Sequence, residues 1–247
     1  MKRLSGIRLK VKNLHKSFGS VKALAGVDLT VEPGEVTAVV GDNGAGKSTF
    51  VKIISGILVP DEGRIIIDDR VYTHLTPALA IQEGIATVYQ DLALVNCGDV
   101  ATNVFLGREL TRGIFLDRKR MYSRARKVLE EMGINLPAVD MLVGLLSGGQ
   151  RQAVAMARAV NMGGRLFVLD EPTAALGYKE TCLVLDLIRR LRDQGYSVII
   201  ISHNLHQVFS IADSICVFRH GRVVSCTSVK HTDPETVVKL ITGTETA

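Results

Sequence analysis

Tryptophan is absent from this chain of 247 residues, and cysteine is scarce: the sequence has four, Cys97, Cys182, Cys216 and Cys226. No two of them form a C-x-x-C pair and no histidine cluster accompanies them, which argues against a zinc site or a dithiol redox centre. They also do not form the dense pattern of a small disulfide-stapled secreted domain. We expect four reduced thiols in a cytosolic protein.

The sequence also lacks a long apolar run. No segment reaches the roughly 20 apolar residues that a helix needs to span a bilayer. Met1–Arg3 is basic, but charges alternate with apolar side chains over residues 4–12, so the apolar core of a signal peptide is missing. The sequence therefore predicts a soluble, cytoplasmic chain whose membrane role, if it has one, comes through a partner.

A large excess of one charge is missing as well. Lysine and arginine total 30 against 25 aspartate and glutamate, and the net charge of +5 is spread along the chain. The densest basic stretch is Arg118–Arg120 with Arg124, Arg126 and Lys127, on a predicted helix, where a solvated helical face is expected. We therefore expect no nucleic-acid partner.

A glycine-rich segment matches the pattern G-x-x-x-x-G-K-[ST] at every fixed position. It consists of Gly41, Asp42, Asn43, Gly44, Ala45, Gly46, Lys47, Ser48 and Thr49. An apolar run predicts a strand before it and helical spacing follows it, which is the context of a phosphate-binding loop. Its backbone N–H groups and the helix dipole favour phosphate, Lys47 can reach the β- and γ-phosphates, and Ser48 can ligate Mg²⁺. Nucleotide binding is favoured over a plain glycine turn.

Apolar strands alternate with amphipathic helices along most of the chain. Strands are predicted at 7–12, 24–31, 36–40, 84–89, 165–170, 198–201 and 215–218. Helices are predicted at 77–82, 117–133 and 179–194, and a last helix starts at about 234. A hairpin is predicted around Asp68 and Asp69, and residues 13–19 are predicted to form a polar connection. Continuous apolar strands between helices are typical of an α/β fold with a mostly parallel sheet. Between residues 92 and 146 strand signals fade, which predicts a helical insertion.

An acidic pair, Asp170 and Glu171, ends one of the apolar strands. An aspartate at the carboxyl end of a strand beside a phosphate loop can hold Mg²⁺, and an adjacent glutamate can orient and deprotonate a water molecule. An Asp-Glu turn is common by itself. The upstream phosphate loop favours the functional interpretation.

A second glycine segment, Ser147, Gly148, Gly149 and Gln150, precedes a predicted helix. Ser147 could simply cap that helix, but a plain cap does not require two glycines, and the segment can form a small anion-binding surface. In order and rough spacing, this segment, Gly41–Thr49 and the acidic pair resemble the ATP-binding cassette family of ATPases. The resemblance covers essentially the whole chain.

The resemblance implies a P-loop NTPase fold with a RecA-like, mostly parallel sheet, an N-terminal antiparallel β subdomain and a helical insertion subdomain. The expected single ATPase domain spans residues 1–247, with the core and β subdomain at about 1–91 and 147–247 and the helical subdomain at about 92–146. ATP and Mg²⁺ are the implied cofactors.

Three further positions fit the family pattern: Phe18 for stacking on adenine, Gln90 for contact with Mg²⁺ or water, and His203 for contact with the γ-phosphate. The resemblance implies that Lys47, Glu171 and His203 are catalytic. It implies that Ser48, Gln90 and Asp170 bind the metal, and that ATP contacts Phe18, Gly41–Thr49, Gln90 and, from a second copy, Ser147–Gln150.

One position departs from the family pattern. The family usually has Ser-Ala-Leu-Asp after the acidic pair, whereas this chain has Ala174-Ala175-Leu176-Gly177. The missing aspartate belongs to a loop that crosses the dimer contact, so its absence concerns communication between the two sites.

Variable stretches, among them 90–95, 103–109 and 173–177, look like those of ATP-binding subunits of bacterial monosaccharide importers of the fructose, ribose and xylose type. The implied partners are a second copy, membrane permease subunits and, indirectly, a solute-binding protein, at the cytoplasmic face of the membrane. Two other classes stay open: a non-transport cassette ATPase acting on ribosomes or DNA, and a P-loop small-molecule kinase, in which Ser147–Gln150 has no role.

Overall fold

The computed structural model describes residues 6–244. Its strands are β1 (Leu9–Phe18), β2 (Val21–Val31), β3 (Val36–Val40), β4 (Glu62–Ile67), β5 (Arg70–Tyr72), β6 (Ile85–Val88), β7 (Thr111–Arg112), β8 (Phe115–Leu116), β9 (Leu166–Asp170), β10 (Ser197–Ile201), β11 (Ser214–Arg219) and β12 (Arg222–Ser228). Its helices are α1 (Lys47–Ile54), α2 (Pro77–Gln82), α3 (Val100–Phe105), α4 (Arg118–Glu131), α5 (Gly148–Asn161), α6 (Tyr178–Asp193), α7 (Leu205–Ile211) and α8 (Pro234–Thr242).

The strands form two main sheets. The larger has the order β12-β11-β3-β10-β9-β6, in which every neighbouring pair is parallel except the β11–β12 hairpin. The smaller is antiparallel, with the order β2-β1-β4-β5. The prediction of a mostly parallel sheet with an antiparallel N-terminal sheet is confirmed.

The central strands of the larger sheet are apolar because both of their faces are covered. In β10, Val198 and Ile200 pack in one cluster with α5 and α6, whereas Ile199 and Ile201 pack in a second cluster with α1 and the antiparallel sheet. Successive side chains of a strand point to opposite faces, so a two-sided core requires an unbroken apolar run rather than alternation. This two-sided burial fixes the strand ends that carry the candidate site.

The first strand is longer than its sequence pattern predicts. Residues 13–18, expected to be a polar connection, continue β1, which pairs with β2 up to Phe18. The register of β1 shifts after Val11 and again beyond Leu14, and Asn13 has a φ of 49°. Such irregularities interrupt the two-residue periodicity, which is why the sequence pattern ends the strand too early.

The segment between β6 and α5 contains the helices α3 and α4 joined by loops and by one short hairpin. Asp117 caps α4 as expected, accepting a hydrogen bond from the Arg120 backbone N–H at 3.0 Å. The short β7–β8 hairpin in this segment was not predicted, since strands of two residues carry no periodic signal. In residues 6–244, no helix has the length and apolarity that crossing a membrane requires.

The expectation of four free thiols is wrong for one pair. The structure joins Cys216 and Cys226 in a disulfide, with a Cα–Cα distance of 4.0 Å. The two residues face each other across the β11–β12 hairpin, a pairing that depends on the register of the hairpin and not on any cysteine motif. Cys97 and Cys182 are free.

Candidate functional site

The loop Gly41–Thr49 connects β3 to α1 and has a conformation that glycine makes possible. Gly46 precedes α1 with a φ of 107°, and a Cβ atom there would lie 2.6 Å from the Ala23 carbonyl oxygen. Gly41 has a φ of 147°, and a Cβ atom would overlap the Phe218 carbonyl group. Glycine therefore lets the loop lie against β2 and β11 in a left-handed backbone conformation.

Lys47, at the first position of α1, curls back over this loop. Its Nζ atom donates hydrogen bonds to the carbonyl oxygens of Gly41 at 2.6 Å and Asp42 at 2.8 Å. Burial lowers the pKa of Lys47, and the carboxylates of Glu171, Asp42 and Asp170 oppose that change. The ammonium group is thus held at the centre of the loop, where a phosphate would be bound.

The acidic pair lies at the same edge of the large sheet as the loop. β9 and β3 flank β10 in parallel, so their carboxyl ends bring Asp170 next to Gly41. Burial, and then the neighbouring charge of Glu171, raise the pKa of Asp170, while Lys47 and Lys52 act in the opposite direction. Asp170 is a half-buried carboxylate that would gain from a cation.

Glu171 is fixed by its backbone and by one side chain. Its φ is 49°, and its N–H donates to the Ile201 carbonyl oxygen at 3.0 Å. His203, which follows β10, has its Nδ1 atom 2.9 Å from Glu171 Oε1. An unusual backbone conformation for a non-glycine residue, held by a hydrogen bond to the next strand, is a form of strain that occurs at functional sites.

One cavity brings together most of the predicted site. It has a volume of about 440 Å³ and lies over the phosphate loop. Its lining includes the predicted residues Phe18, Asn43, Gly44, Gly46, Lys47, Ser48, Thr49, Gln90, Asp170 and Glu171. Gly41, Asp42 and Ala45 belong to the same loop but do not line the cavity; Gly41 and Ala45 are buried, and Asp42 is exposed. Phe18, which borders the cavity, is 49% exposed.

Two predicted elements do not line this cavity. His203 reaches it only through Glu171, and its side chain is 75% exposed. Ser147–Gln150 lies at the start of α5, where Ser147 and Gln150 form a reciprocal capping box. The simple capping interpretation of Ser147 is therefore correct, and within one chain this segment does not meet the phosphate loop.

Two residues near the site have no motif that would reveal them. Arg158 on α5 donates to the carbonyl oxygens of Leu92 and Ala93, at 2.7 and 2.8 Å, and so fixes the segment that follows Gln90. The second is Glu180. A hydrogen bond from the Ser147 side chain lowers the pKa of Glu180 most, and hydrogen bonds from backbone N–H groups, including that of Gly177, lower it further. Glu180 thereby links the start of α6, where the family aspartate is missing, to the second glycine segment.

The donor atoms around the cavity fit a magnesium ion. Mg²⁺ prefers oxygen ligands and keeps several water molecules, so it needs few protein ligands. The Ser48 hydroxyl, the Gln90 amide oxygen and the Asp170 carboxylate border the same cavity, and Asp170 is the ionisable member. In residues 6–244 there is no cluster of three His, Cys, Asp or Glu side chains that would suit a transition metal.

Comparison with known families gives a match to the ABC transporter model over residues 24–174. Similar proteins include a xylose/arabinose import ATP-binding protein from Sulfolobus acidocaldarius, 44% identical over 95% of this chain and 94% of its own length. A fructose import ATP-binding protein from Rhizobium meliloti is also 44% identical, with the same coverage. A ribose import ATP-binding protein from Escherichia coli O157:H7 is 40% identical over 95% of this chain but only 46% of its own length.

Solved structures of ATP-binding cassettes have the same fold as this chain. An ATP-binding cassette of an ABC transporter in its ADP conformation superimposes with a TM-score of 0.82 at 28% identity, covering 96% of each chain. A dimeric cassette in a post-hydrolysis state, bound to ADP and phosphate, has a TM-score of 0.74 at 28% identity and covers 90% of this chain and 98% of its own. The predicted resemblance is confirmed.

Proposed function

The chain belongs to the ABC transporter family as an ATP-binding, ATP-hydrolysing cassette, and we propose that it drives uptake of a monosaccharide through a separate permease. The names of the xylose/arabinose, fructose and ribose import proteins support a sugar as the cargo. We treat residues 1–247 as one ATPase domain, in which about 92–146 form a helical subdomain and the remainder forms the core and β subdomain.

The observation that carries this proposal is the single cavity shared by the phosphate loop, Asp170, Glu171 and Gln90. In it, the loop N–H groups and Lys47 would bind the phosphates of ATP and stabilise the negative charge of the transferring phosphoryl group. Bound Mg²⁺, held by Ser48, Asp170 and Gln90, would neutralise phosphate charge. Phe18 would stack on the adenine ring.

Glu171 is the proposed general base. It would accept a proton from the water that attacks the γ-phosphorus, and the hydrogen bond with His203 orients its carboxylate. The bond between the γ-phosphorus and the bridging oxygen breaks, giving ADP and phosphate. His203 would also contact the γ-phosphate, from the exposed side of the cavity.

The complete site requires a second copy of the chain. Ser147–Gln150 presents the positive end of a 14-residue helix, yet none of its residues lines the cavity over the phosphate loop of its own chain. We propose that two copies enclose two ATP molecules, each between the loop of one copy and Ser147–Gln150 of the other. The dimeric cassette among the similar structures supports this arrangement.

A groove beside the segment that follows Gln90 is the proposed permease contact. It has a volume of 320 Å³ and is mostly apolar, bordered among others by Tyr89, Ala93, Leu106 and Arg158. Arg158 connects this groove to the Leu92 and Ala93 carbonyls, close to the ATP cavity, so closure of the ATP site would reach the permease. The chain would then lie at the cytoplasmic face of the membrane, with a solute-binding protein acting on the other side.

Substitution of Glu171 by glutamine tests the proposal. The amide cannot accept the proton, so we expect hydrolysis to fall by at least about 100-fold while ATP binding persists. Trapped ATP should then produce a dimer in size-exclusion chromatography with ATP, but not with ADP. Glu130→Gln, on the exposed face of α4, is the matched control. Hydrolysis at the parental rate by Glu171→Gln would show that Glu171 is not the base.

A further inference from the structure

The β7–β8 hairpin exposes apolar side chains that neither the ATP cavity nor the groove uses. Ile114 is 91% exposed, Phe115 74% and Leu116 52%. These three residues, here called the hairpin tip, are consecutive, and none belongs to a hydrophobic cluster in residues 6–244. Side chains of this size at a protruding turn mark a contact with an apolar environment outside the chain.

Four cations flank the hairpin tip along the chain: Arg112 before it and Arg118, Lys119 and Arg120 after it, here called the basic rim. All four are exposed, and none forms an ion pair in the part of the chain that the structure describes. Arg118–Arg120 occupies the first turn of α4, which contains no acidic residue. Cations there oppose the helix dipole, so the arrangement does not serve the stability of the helix.

The acids near the basic rim form no ion pair with it in the described residues, although the charge of Arg118 acts on Asp99 and helps to lower the pKa of that carboxyl group. Asp117 accepts from the Arg120 N–H at 3.0 Å, and Glu109 accepts from the Gly107 N–H at 3.0 Å. The Asp117 N–H in turn donates to the Leu110 carbonyl oxygen at 2.7 Å, which closes the base of the hairpin. The hairpin therefore presents an apolar turn with unpaired positive charge beside it.

We propose that this hairpin contacts the anionic phospholipid bilayer directly, with the tip among the lipid headgroups and the basic rim on their phosphates. An apolar tip beside exposed cations that form no ion pair in the described residues complements a surface that is negative outside and apolar beneath. A membrane contact of this kind needs no spanning helix and no permease. It extends the sequence-based expectation, in which every membrane contact came through a partner.

Binding of the full chain to vesicles tests the proposal. Co-sedimentation is measured with vesicles of phosphatidylglycerol mixed with phosphatidylcholine, and with phosphatidylcholine alone, at low and high salt. We expect binding to the anionic vesicles that weakens with salt. Ile114→Asp combined with Phe115→Asp should abolish it. Arg118→Gln, Lys119→Gln and Arg120→Gln together should weaken it by roughly 100-fold, since each of the three cations near an anionic surface contributes about fivefold.

Matched controls separate a local contact from a general change in charge or polarity. Val71→Asp with Val238→Asp alters two exposed apolar residues elsewhere, at 57% and 47% exposure. Lys12→Gln, Arg64→Gln and Arg222→Gln remove three exposed cations elsewhere. Both control variants should bind vesicles like the parent, and every variant should keep the parental melting temperature within error.

Three outcomes would overturn the proposal. The parent does not bind anionic vesicles at low salt, or the hairpin variants bind as well as the parent. In the third outcome, bare vesicles are not bound and the hairpin variants lose binding only to vesicles that contain a permease, which makes the hairpin a protein contact. None of these measurements uses ATP, so their result is independent of the proposed hydrolysis.

Discussion

Lys47 shows how one side chain can organise a phosphate loop. Its two hydrogen bonds, to the Gly41 and Asp42 carbonyl oxygens, hold the ammonium group where phosphate oxygens would be bound. Burial lowers its pKa, but three carboxylates favour the charged form. The residue is thus already in place before the ligand, and little side-chain freedom remains to be lost on binding.

Replacing Lys47 with alanine should weaken ATP binding by about 10- to 100-fold, because a hydrogen bond to a charged group contributes about 1.5–3 kcal/mol. Titration calorimetry measures the affinity. Lys52→Ala is the control: it removes an exposed cation from the same helix, outside the cavity lining. If Lys47→Ala binds ATP with parental affinity, the loop is not the phosphate site.

Among the elements, α3 and α4 depend on one shared carboxylate. Asp99 caps α3 by accepting from the Thr102 N–H at 2.6 Å, and it accepts from the Tyr122 hydroxyl of α4 at 2.7 Å. Burial by itself would raise the pKa of Asp99, but the hydrogen bonds from Tyr122 and Thr102 outweigh it, and the pKa is lowered. A single residue therefore connects the two helices that precede α5.

Substitution of Asp99 by alanine should lower the free energy of unfolding by about 1–3 kcal/mol at neutral pH, from the lost cap and the lost tyrosine bond. Because the folded pKa lies below the unfolded one, this stabilisation is complete above the unfolded pKa of about 4 and is lost as the pH falls through the folded pKa. The difference between parent and variant should therefore shrink in acid.

Urea denaturation at neutral and acidic pH measures the effect of Asp99. The matched variant is Asp233→Ala, which removes the cap of α8. Because Asp233 does not connect α8 to a second helix as Asp99 connects α3 to α4, this variant should lower the free energy of unfolding by less, about 1 kcal/mol. Equal losses in the two variants would contradict a linking role for Asp99.

At the scale of the whole molecule, the two glycine segments do not form one cavity within a single chain. The phosphate loop borders the ATP cavity, whereas Ser147–Gln150 caps α5 and is not part of the lining of that cavity. In a symmetric dimer the phosphate loop of each copy faces Ser147–Gln150 of the other copy, so two equal sites form at once. An isolated copy would bind ATP but hydrolyse it poorly.

Mixing two inactive chains tests this composite site. Lys47→Ala damages the loop, and Ser147→Arg damages the opposite surface, so neither variant forms an intact site with itself. A heterodimer of the two has one intact site, and an equal mixture should recover roughly a quarter of the parental ATPase activity. Steady-state phosphate release measures it. As a control, the Lys47→Ala chain is mixed with a chain that carries both Lys47→Ala and Ser147→Arg, and this mixture should recover no activity. If the mixture of the two single variants is also inactive, each chain builds its own site.

The local chemistry of the sequence was sufficient to predict much of this protein. Phosphate binding demands glycines and a lysine at fixed spacing, so Gly41–Thr49 was recognisable without a fold. Strands buried on both faces must be apolar throughout, and helix ends need caps such as Asp117, so β3, β9, β10 and α4 were predicted near their observed bounds.

Tertiary structure decided the features that depend on register and proximity. The continuation of β1 to Phe18 comes from pairing with β2 across irregular register, and the contact of Cys216 with Cys226 comes from the alignment of a hairpin. Folding likewise places Arg158 on the Leu92 and Ala93 carbonyls and leaves the hairpin tip uncovered. A sequence pattern depends on residues that are close together along the chain. These contacts join residues that only the fold brings together, so no local pattern indicates them.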